Sequence, residues 1–187
     1  MPPQIGEFIS EQIYDSNLNS NPKHPITSDT LACHFVDVPE GAERHNGTSW
    51  VNHKEVEAVV HLARRFQEED KKFRIITPYD PQRQLLEDAL KENDLYWNDK
   101  CFNVDSFQGN EEDFIIISVV RTRDLGFLTS LRRTNVMLTR CKLGMYICSS
   151  KAFLKGKKGS QCLVGKMAAA FGDQSWISWE DLIGGNF

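Results

Sequence analysis

The 187-residue chain contains no G-x-x-x-x-G-K-[ST] loop, and no G-x-G-x-x-G follows a strand-like run. Both motifs are turns whose backbone amides cradle phosphates. Their absence excludes a self-contained nucleotide-binding enzyme of either common design. The two Gly-Lys pairs, Gly156-Lys157 and Gly165-Lys166, lack both the upstream glycine and a following Ser or Thr. No aspartate-glutamate pair closes an apolar strand in the manner of a metal-holding Walker B element, so hydrolysis by this chain alone is not expected. No apolar run approaches the ~20 residues of a membrane span. The start, Met1-Pro2-Pro3-Gln4-Ile5-Gly6-Glu7, has neither a basic segment nor a long apolar one, and no signal peptide is read there. The five histidines lack metal spacing: His53 and His61 are eight apart, and Cys33-His34 places neighbours on opposite faces of a strand. No metal site is expected. Five cysteines, an odd number without a C-x-x-C pair, read as reduced thiols in an intracellular protein, cytoplasmic or nuclear.

Hydrophobic residues make up 40% of the chain, enough for a full core in one large domain. The net charge of −4 conceals an uneven distribution. Residues 121–158 hold ten Lys or Arg and one acid, Asp124, leaving twelve bases and twenty-five acids elsewhere. Such asymmetry suits a polyanion partner. A solvated basic face would read the same way.

Ile5, Phe8, Ile9 and Ile13 recur at helical spacing and predict an amphipathic helix over 3–14. Asp15 to Pro25 reads as a loop, Leu31 to Val38 as a strand, and Pro39 to Gly47 as a polar loop. Val56, Val59, Val60, Ala63 and Phe66 define a helix face starting near Asn52. Phe73 to Thr77 is a short strand closed by Pro78, and Pro81 falls in the first turn of a helix carrying Leu85, Leu86, Ala89 and Leu90. Cys101 to Val104 predicts a brief strand. Phe114 to Val120, nearly all β-branched, predicts one buried on both faces. A helix is expected over 132–142 and a strand over 143–148. Shorter segments follow at 151–155, 162–171 and 176–179. Strands alternating with helices predict an α/β fold with a mostly parallel sheet. The four tryptophans read as packing residues.

Three polar clusters can carry chemistry. Asp105, Ser106, Gln108 and Gly109 follow a short strand, at the end where open α/β sheets bind ligands. Gly109 permits a turn or a close approach, and Glu111 and Asp113 offer acceptors for a ribose hydroxyl or an arginine. A polar turn between strands fits the spacing equally. Arg133 and Arg140, seven apart, project within ~20° of each other if one straight helix carries both. Asn135 and Thr139 are stacked four apart on it. Arginine forks match phosphate oxygens, although a surface helix with ordinary ion pairs fits too. Thr77-Pro78-Tyr79-Asp80-Pro81-Gln82 closes a strand. An exposed Thr, Tyr and backbone amides there can grip a sugar-phosphate chain, and Tyr79 can stack on a base. Proline used only as punctuation fits as well.

Together these pieces resemble the second RecA-like domain of a superfamily 1B helicase, in the group of the nonsense-mediated mRNA decay helicase. The resemblance rests on Val104-Asp105-Ser106-Phe107-Gln108-Gly109 with Glu111 and Asp113, on Leu131-Arg132-Arg133-Thr134-Asn135-Val136 with Leu138-Thr139-Arg140, and on Ile76-Thr77-Pro78-Tyr79 with Gln82. It covers residues 1–150 in order and spacing. Met1-Pro2-Pro3 resembles the end of a Tyr-Arg-Met-His-Pro motif with Pro2 in place of histidine. Asn110 stands where a larger or basic residue is common, and Cys141 where alanine is usual.

The resemblance implies a RecA-like, P-loop-NTPase-type fold without its own P-loop. Residues 1–187 would be one domain, with an entry helix and loop over 1–30 and a less clearly matched tail over 151–187. It implies that Arg140 is an arginine finger toward the γ-phosphate of a nucleotide held by the first RecA-like domain. Glu111 would contact the ribose. Gln108 and Gly109 would couple the nucleotide and strand sites, and Arg133 would support the nucleotide side. Thr77, Pro78, Tyr79, Ser106 and Thr139 would face the nucleic acid. ATP and Mg²⁺ are the expected cofactors of the whole enzyme, none being held by this domain alone. Single-stranded RNA or DNA and the first RecA-like domain are the expected partners, with no membrane involved. The chain is expected to be part of a longer helicase. The competing class is a non-catalytic interaction module that kept the fold. Gln108, Glu111, Arg133 and Arg140 argue against it, because a scaffold needs none of them.

Overall fold

The computed structural model describes all 187 residues. The order of elements is α1 (Pro3–Ile13), β1 (Cys33–Asp37), β2 (Arg44–Asn46), β3 (Ser49–Val51), α2 (His53–Glu68), β4 (Phe73–Thr77), α3 (Asp80–Glu92), β5 (Cys101–Asn103), β6 (Glu112–Ser118), α4 (Leu131–Leu138), β7 (Cys141–Ser149), α5 (Lys151–Lys155), α6 (Leu163–Phe171), β8 (Trp176–Ile177) and α7 (Trp179–Gly184). Six strands form one sheet in the order β5-β4-β6-β7-β1-β8. Every pair in it is parallel.

Alternation along the strands builds two cores, one on each face. Ile115 and Ile117 of β6, Met145 and Ile147 of β7 and Phe35 of β1 join α1, α4 and α6 on one face. Ile116, Tyr146, Cys148, Val36 and Ile75 pack against α2, α3 and α7 on the other. A parallel sheet covered on both faces reads as near-continuous apolar runs, as β6 does here. The tail is integral to both layers: Leu154, Met167 and Phe171 enter the first core, and Ile177 and Leu182 the second. All five cysteines are buried and free. No helix is long and apolar enough to cross a membrane.

Several boundaries differ from the sequence reading, each for a physical reason. Residues 39–47 are not simply a loop, because β2 and β3 form an antiparallel hairpin with Asn46 opposite Ser49. Its two-residue turn places Gly47 at φ +60°, a conformation that suits glycine. The β6 strand ends at Ser118, and Val120 adopts φ +73°, which is strained for a β-branched residue. The arginine helix ends at Leu138, and Thr139 caps its carboxyl end. Cys141 and Lys142 already belong to β7, so Arg133 and Arg140 do not share a helix face. Trp97 is 39% exposed beside Tyr96 at 68%, so it is not a core residue.

Candidate functional site

Strand register fixes where each polar cluster lies. Asn103 of β5 is level with Thr77 of β4, at the carboxyl ends. Glu112 of β6 is level with Cys141 of β7, at the amino ends. Residues 104–111 therefore cross the full height of the sheet, and α4 runs beside them. The crossing is pinned at both ends. Near the carboxyl edge the Arg133 guanidinium forks onto Asp105, with Nε to Oδ1 at 3.1 Å and Nη2 on Oδ2, and lies 4.5 Å over the Phe127 ring. Near the amino edge Arg140 Nη1 donates to the Asn110 carbonyl at 3.4 Å, and the Glu112 amide donates to the Arg140 carbonyl at 3.2 Å. Gly109, at φ +86° with open space around it, makes the bend between these ends. The carboxyl-end placement expected of the whole Asp105–Gly109 cluster holds for Asp105 and Ser106. The following residues lead to the opposite edge.

The predicted residues thus separate into two groups. At the amino edge stand Glu111, Thr139 and Arg140. Arg140 Nη2 donates to Thr139 Oγ1 at 2.9 Å, and that hydroxyl points to the Asn135 carbonyl at 2.9 Å. Thr139 accordingly belongs with Arg140 and not with the Thr77–Tyr79 turn. Arg140 takes part in no ion pair, and its Nε is shielded from solvent without a partner. Glu111 is exposed, 3.9 Å from Lys142 Nζ. Arg133 stands seven positions before Arg140, and its ion pair with Asp105 ties α4 to the crossing. Gln108 lies between, lining a cavity of about 320 Å³ with Val104, Asp105, Arg132, Arg133 and Val136.

At the carboxyl edge stand Thr77, Pro78, Tyr79 and Ser106. Thr77 is fully buried and its hydroxyl has no partner, so the exposed threonine expected there is absent. The Tyr79 hydroxyl accepts from the Phe127 amide at 3.2 Å. Gly126, at φ +49°, packs so closely that a Cβ there would run into both the Tyr79 hydroxyl and the Arg121 guanidinium. Ser106 is exposed, its Oγ donating to the Asn103 carbonyl at 3.0 Å.

Sequence reasoning missed a buried polar network at the carboxyl edge, beside the Thr77–Tyr79 turn. Asn52 caps α2, accepting from the Glu55 amide at 3.2 Å. Gln82 accepts from the Asn52 amide at 2.8 Å and donates to the Asn52 carbonyl and Ser118 Oγ, each at 3.0 Å. Ser118 Oγ and the Val120 amide donate to Glu55 Oε2 at 2.6 and 2.8 Å. Burial pushes the Glu55 carboxyl up to about 8, against these hydrogen bonds, which favour the ionised form. Beside this network, Glu43 accepts from Arg121 Nε and Nη2 at 3.0 and 3.1 Å and from the Thr122 and Arg123 amides at 2.7 and 3.0 Å. Burial raises the Glu43 carboxyl, but the Arg121 guanidinium and the two amides outweigh it and hold the group below the usual range. Two buried glutamates thus fix the strained turn 118–123. Spacing could not reveal them, since Glu55 reads as one more polar residue of a helix. The hairpin had a signal in Asn46-Gly47.

The basic run is also less free than its charge count suggests. Arg121, Arg133, Lys142, Lys151, Lys155 and Lys158 each face an acid. Exposed pairs of this kind leave the field weaker than the formal charge.

Comparison with known proteins gives a consistent set of likenesses. A family model described as an AAA domain matches residues 1–152. Probable helicase senataxin of Mus musculus is 32% identical over 166 residues, covering 79% of this chain and 6% of that protein. ATP-dependent helicase upf1 of Schizosaccharomyces pombe is 32% identical over 180 residues, 82% of this chain and 19% of that protein. Regulator of nonsense transcripts 1 of Dictyostelium discoideum is 32% identical over 178 residues, 82% and 13%. The chain therefore spans a small part of each relative's length. In fold it is similar to the C-terminal domain of a possible DNA helicase from a Lactobacillus, with a TM-score of 0.54 and 13% identity over 94% of both chains.

Proposed function

Since the chain belongs to the AAA-domain family, as the second RecA-like domain of a superfamily 1B helicase, we propose that it completes an ATP site and a single-strand nucleic-acid surface in an ATP-dependent helicase. The observation that carries this reading is the split of the polar residues between two edges of one sheet, joined by the crossing 104–111. One edge presents a guanidinium with no carboxylate partner and an exposed glutamate. The other presents the turn at Thr77–Tyr79 and Ser106.

Arg140 suits a phosphate presented by a neighbouring domain. Its Nη atoms rest on neutral oxygens, which orient the fork without neutralising it. Such an arginine stabilises charge that develops on a transferring phosphoryl group and can be worth ~10³–10⁵ in rate. Glu111 suits a ribose hydroxyl. ATP with Mg²⁺, held by the first RecA-like domain, supplies the phosphoanhydride to be hydrolysed. This chain has no acidic pair for the metal and no glycine loop for the β-phosphate. Its own contribution is the fork, the ribose acceptor and the surface at the carboxyl edge. Movement of α4 and the crossing as a unit would link the two edges, because Arg133 and Arg140 tie them together at both ends. An intracellular setting, cytoplasmic or nuclear, fits the five free buried thiols.

The experiment is phosphate release by the chain alone and by the chain joined to a first RecA-like domain, each with and without single-stranded RNA. Release should stay at background for the chain alone and be stimulated by RNA in the joined protein. Steady turnover by the chain alone would contradict the division of labour.

A further inference from the structure

The β2–β3 hairpin is absent from every motif that carries the resemblance, yet it rises from the edge where the strand site is placed. β1 ends at Asp37, level with Ser149, and the chain stays at that edge until α2 begins. The hairpin is held rigidly. Glu43, just before β2, is locked onto Arg121 and the amides of Thr122 and Arg123. Asn52, just after β3, is locked by Gln82 and the Val120 carbonyl, to which Asn52 Nδ2 donates at 3.1 Å.

Within this frame the aromatic groups form a ladder. The Arg121 guanidinium lies 4.1 Å from the Trp50 ring. Trp50 in turn meets the His45 ring at 3.8 Å, with the planes 38° apart. Arg121 also abuts the Tyr79 hydroxyl, so the ladder joins the turn placed on the strand path. Trp50 is half-buried, while His45 is exposed. The ladder ends in an open ring. A ring already packed against an indole has less freedom to lose, and an unpaired nucleobase has a flat face to set against it. Packing alone explains Trp50. His45 is the cross-strand partner of Trp50, so the hairpin register sets the imidazole against the indole and leaves it exposed.

We propose that His45, backed by Trp50 and Arg121, is a stacking platform for an unpaired base of single-stranded nucleic acid, extending the path past Tyr79. This inference rests on the strand-site reading of the carboxyl edge. It names one additional contact and its chemistry, base stacking.

The test uses the 187-residue chain with fluorescein-labelled U12, dT12 and an abasic 12-mer of the same backbone, at low salt. Loss of an aromatic stack typically costs roughly five- to a hundredfold in affinity. His45→Ala should weaken U12 and dT12 by that range, His45→Tyr should restore most of it, and the preference for U12 or dT12 over the abasic strand should shrink in His45→Ala. A loss confined to U12 would identify RNA as the strand, and an equal loss on both would identify the base face common to RNA and DNA. His45 is exposed, so thermal melting should show both variants folded. If U12 and dT12 bind and His45→Ala leaves affinity and abasic discrimination unchanged, the platform is wrong and the strand site stands without it. If neither strand binds the wild-type chain, the strand-site reading fails and the platform falls with it.

Discussion

Replacing Glu55 with glutamine should remove a pH dependence of stability that is written into the core. Glu55 is fully buried and titrates at about 8, against an ordinary value of 4.5. The folded state therefore keeps a proton that the unfolded chain releases. Stability contributed by this group is complete below about pH 4.5, falls as pH rises, and levels off above about pH 8. A gap of this size corresponds to roughly 4–5 kcal/mol across the window, of which about 3 kcal/mol is lost by pH 7. Two histidines act in the opposite sense. Burial lowers the folded values of His34 and His61, so they add stability as pH rises toward 6.5. Comparing Glu55→Gln with wild type cancels them. Glutamine can accept from Ser118 and the Val120 amide, but its amide protons meet the donor Asn52 Nδ2, 3.3 Å from Glu55 Oε1. That mismatch costs about 1–3 kcal/mol at every pH. The slope, not the offset, is therefore diagnostic. Urea unfolding of both proteins from pH 5 to pH 8.5 should show the variant gaining on wild type by about 3 kcal/mol or more. A difference constant to within about 0.5 kcal/mol would mean that Glu55 is ionised in the native core, and the reasoning would fail.

Glu43→Ala leaves Arg121 buried with no carboxylate and frees two amides, so it should cost about 3–5 kcal/mol in urea unfolding. The same cost is expected of Arg121→Ala, and a loss below about 1 kcal/mol in either would show that the turn is held by other means. Single-stranded oligonucleotides should bind the chain weakly, with affinity falling roughly tenfold or more between 50 and 200 mM salt, as three or so phosphate contacts require. Fluorescence anisotropy at the two salt concentrations checks this, and salt-independent binding would exclude the electrostatic account.

Much of the architecture was legible because burial on two faces leaves a plain trace. β4 and β6 stand out as apolar runs, and α2 shows its face through Val56, Val59, Ala63 and Phe66. The end of the arginine helix was not legible, because Thr139 and Arg140 are tolerated in a helix and only the pairing of Cys141 with Glu112 shows that β7 has begun. The candidate site residues were chosen by motif, and their grouping in space needed the register. Thr139 moved to the Arg140 edge, Arg133 became a clamp on Asp105, and Thr77 turned inward. Glu55 and Glu43 left no pattern, since a buried carboxylate is recognisable only from the donors that surround it.

Arg140 is proposed to act on a phosphate held by a neighbouring domain. In the chain joined to a first RecA-like domain, Arg140→Ala should lower kcat for RNA-stimulated ATP hydrolysis by ~10³-fold or more while leaving oligonucleotide affinity within about twofold, because the charge it stabilises grows in the transition state. Arg140→Lys should recover little, since a point charge does not reproduce a planar fork. Normal kcat together with lost oligonucleotide binding would place Arg140 on the strand and contradict the account.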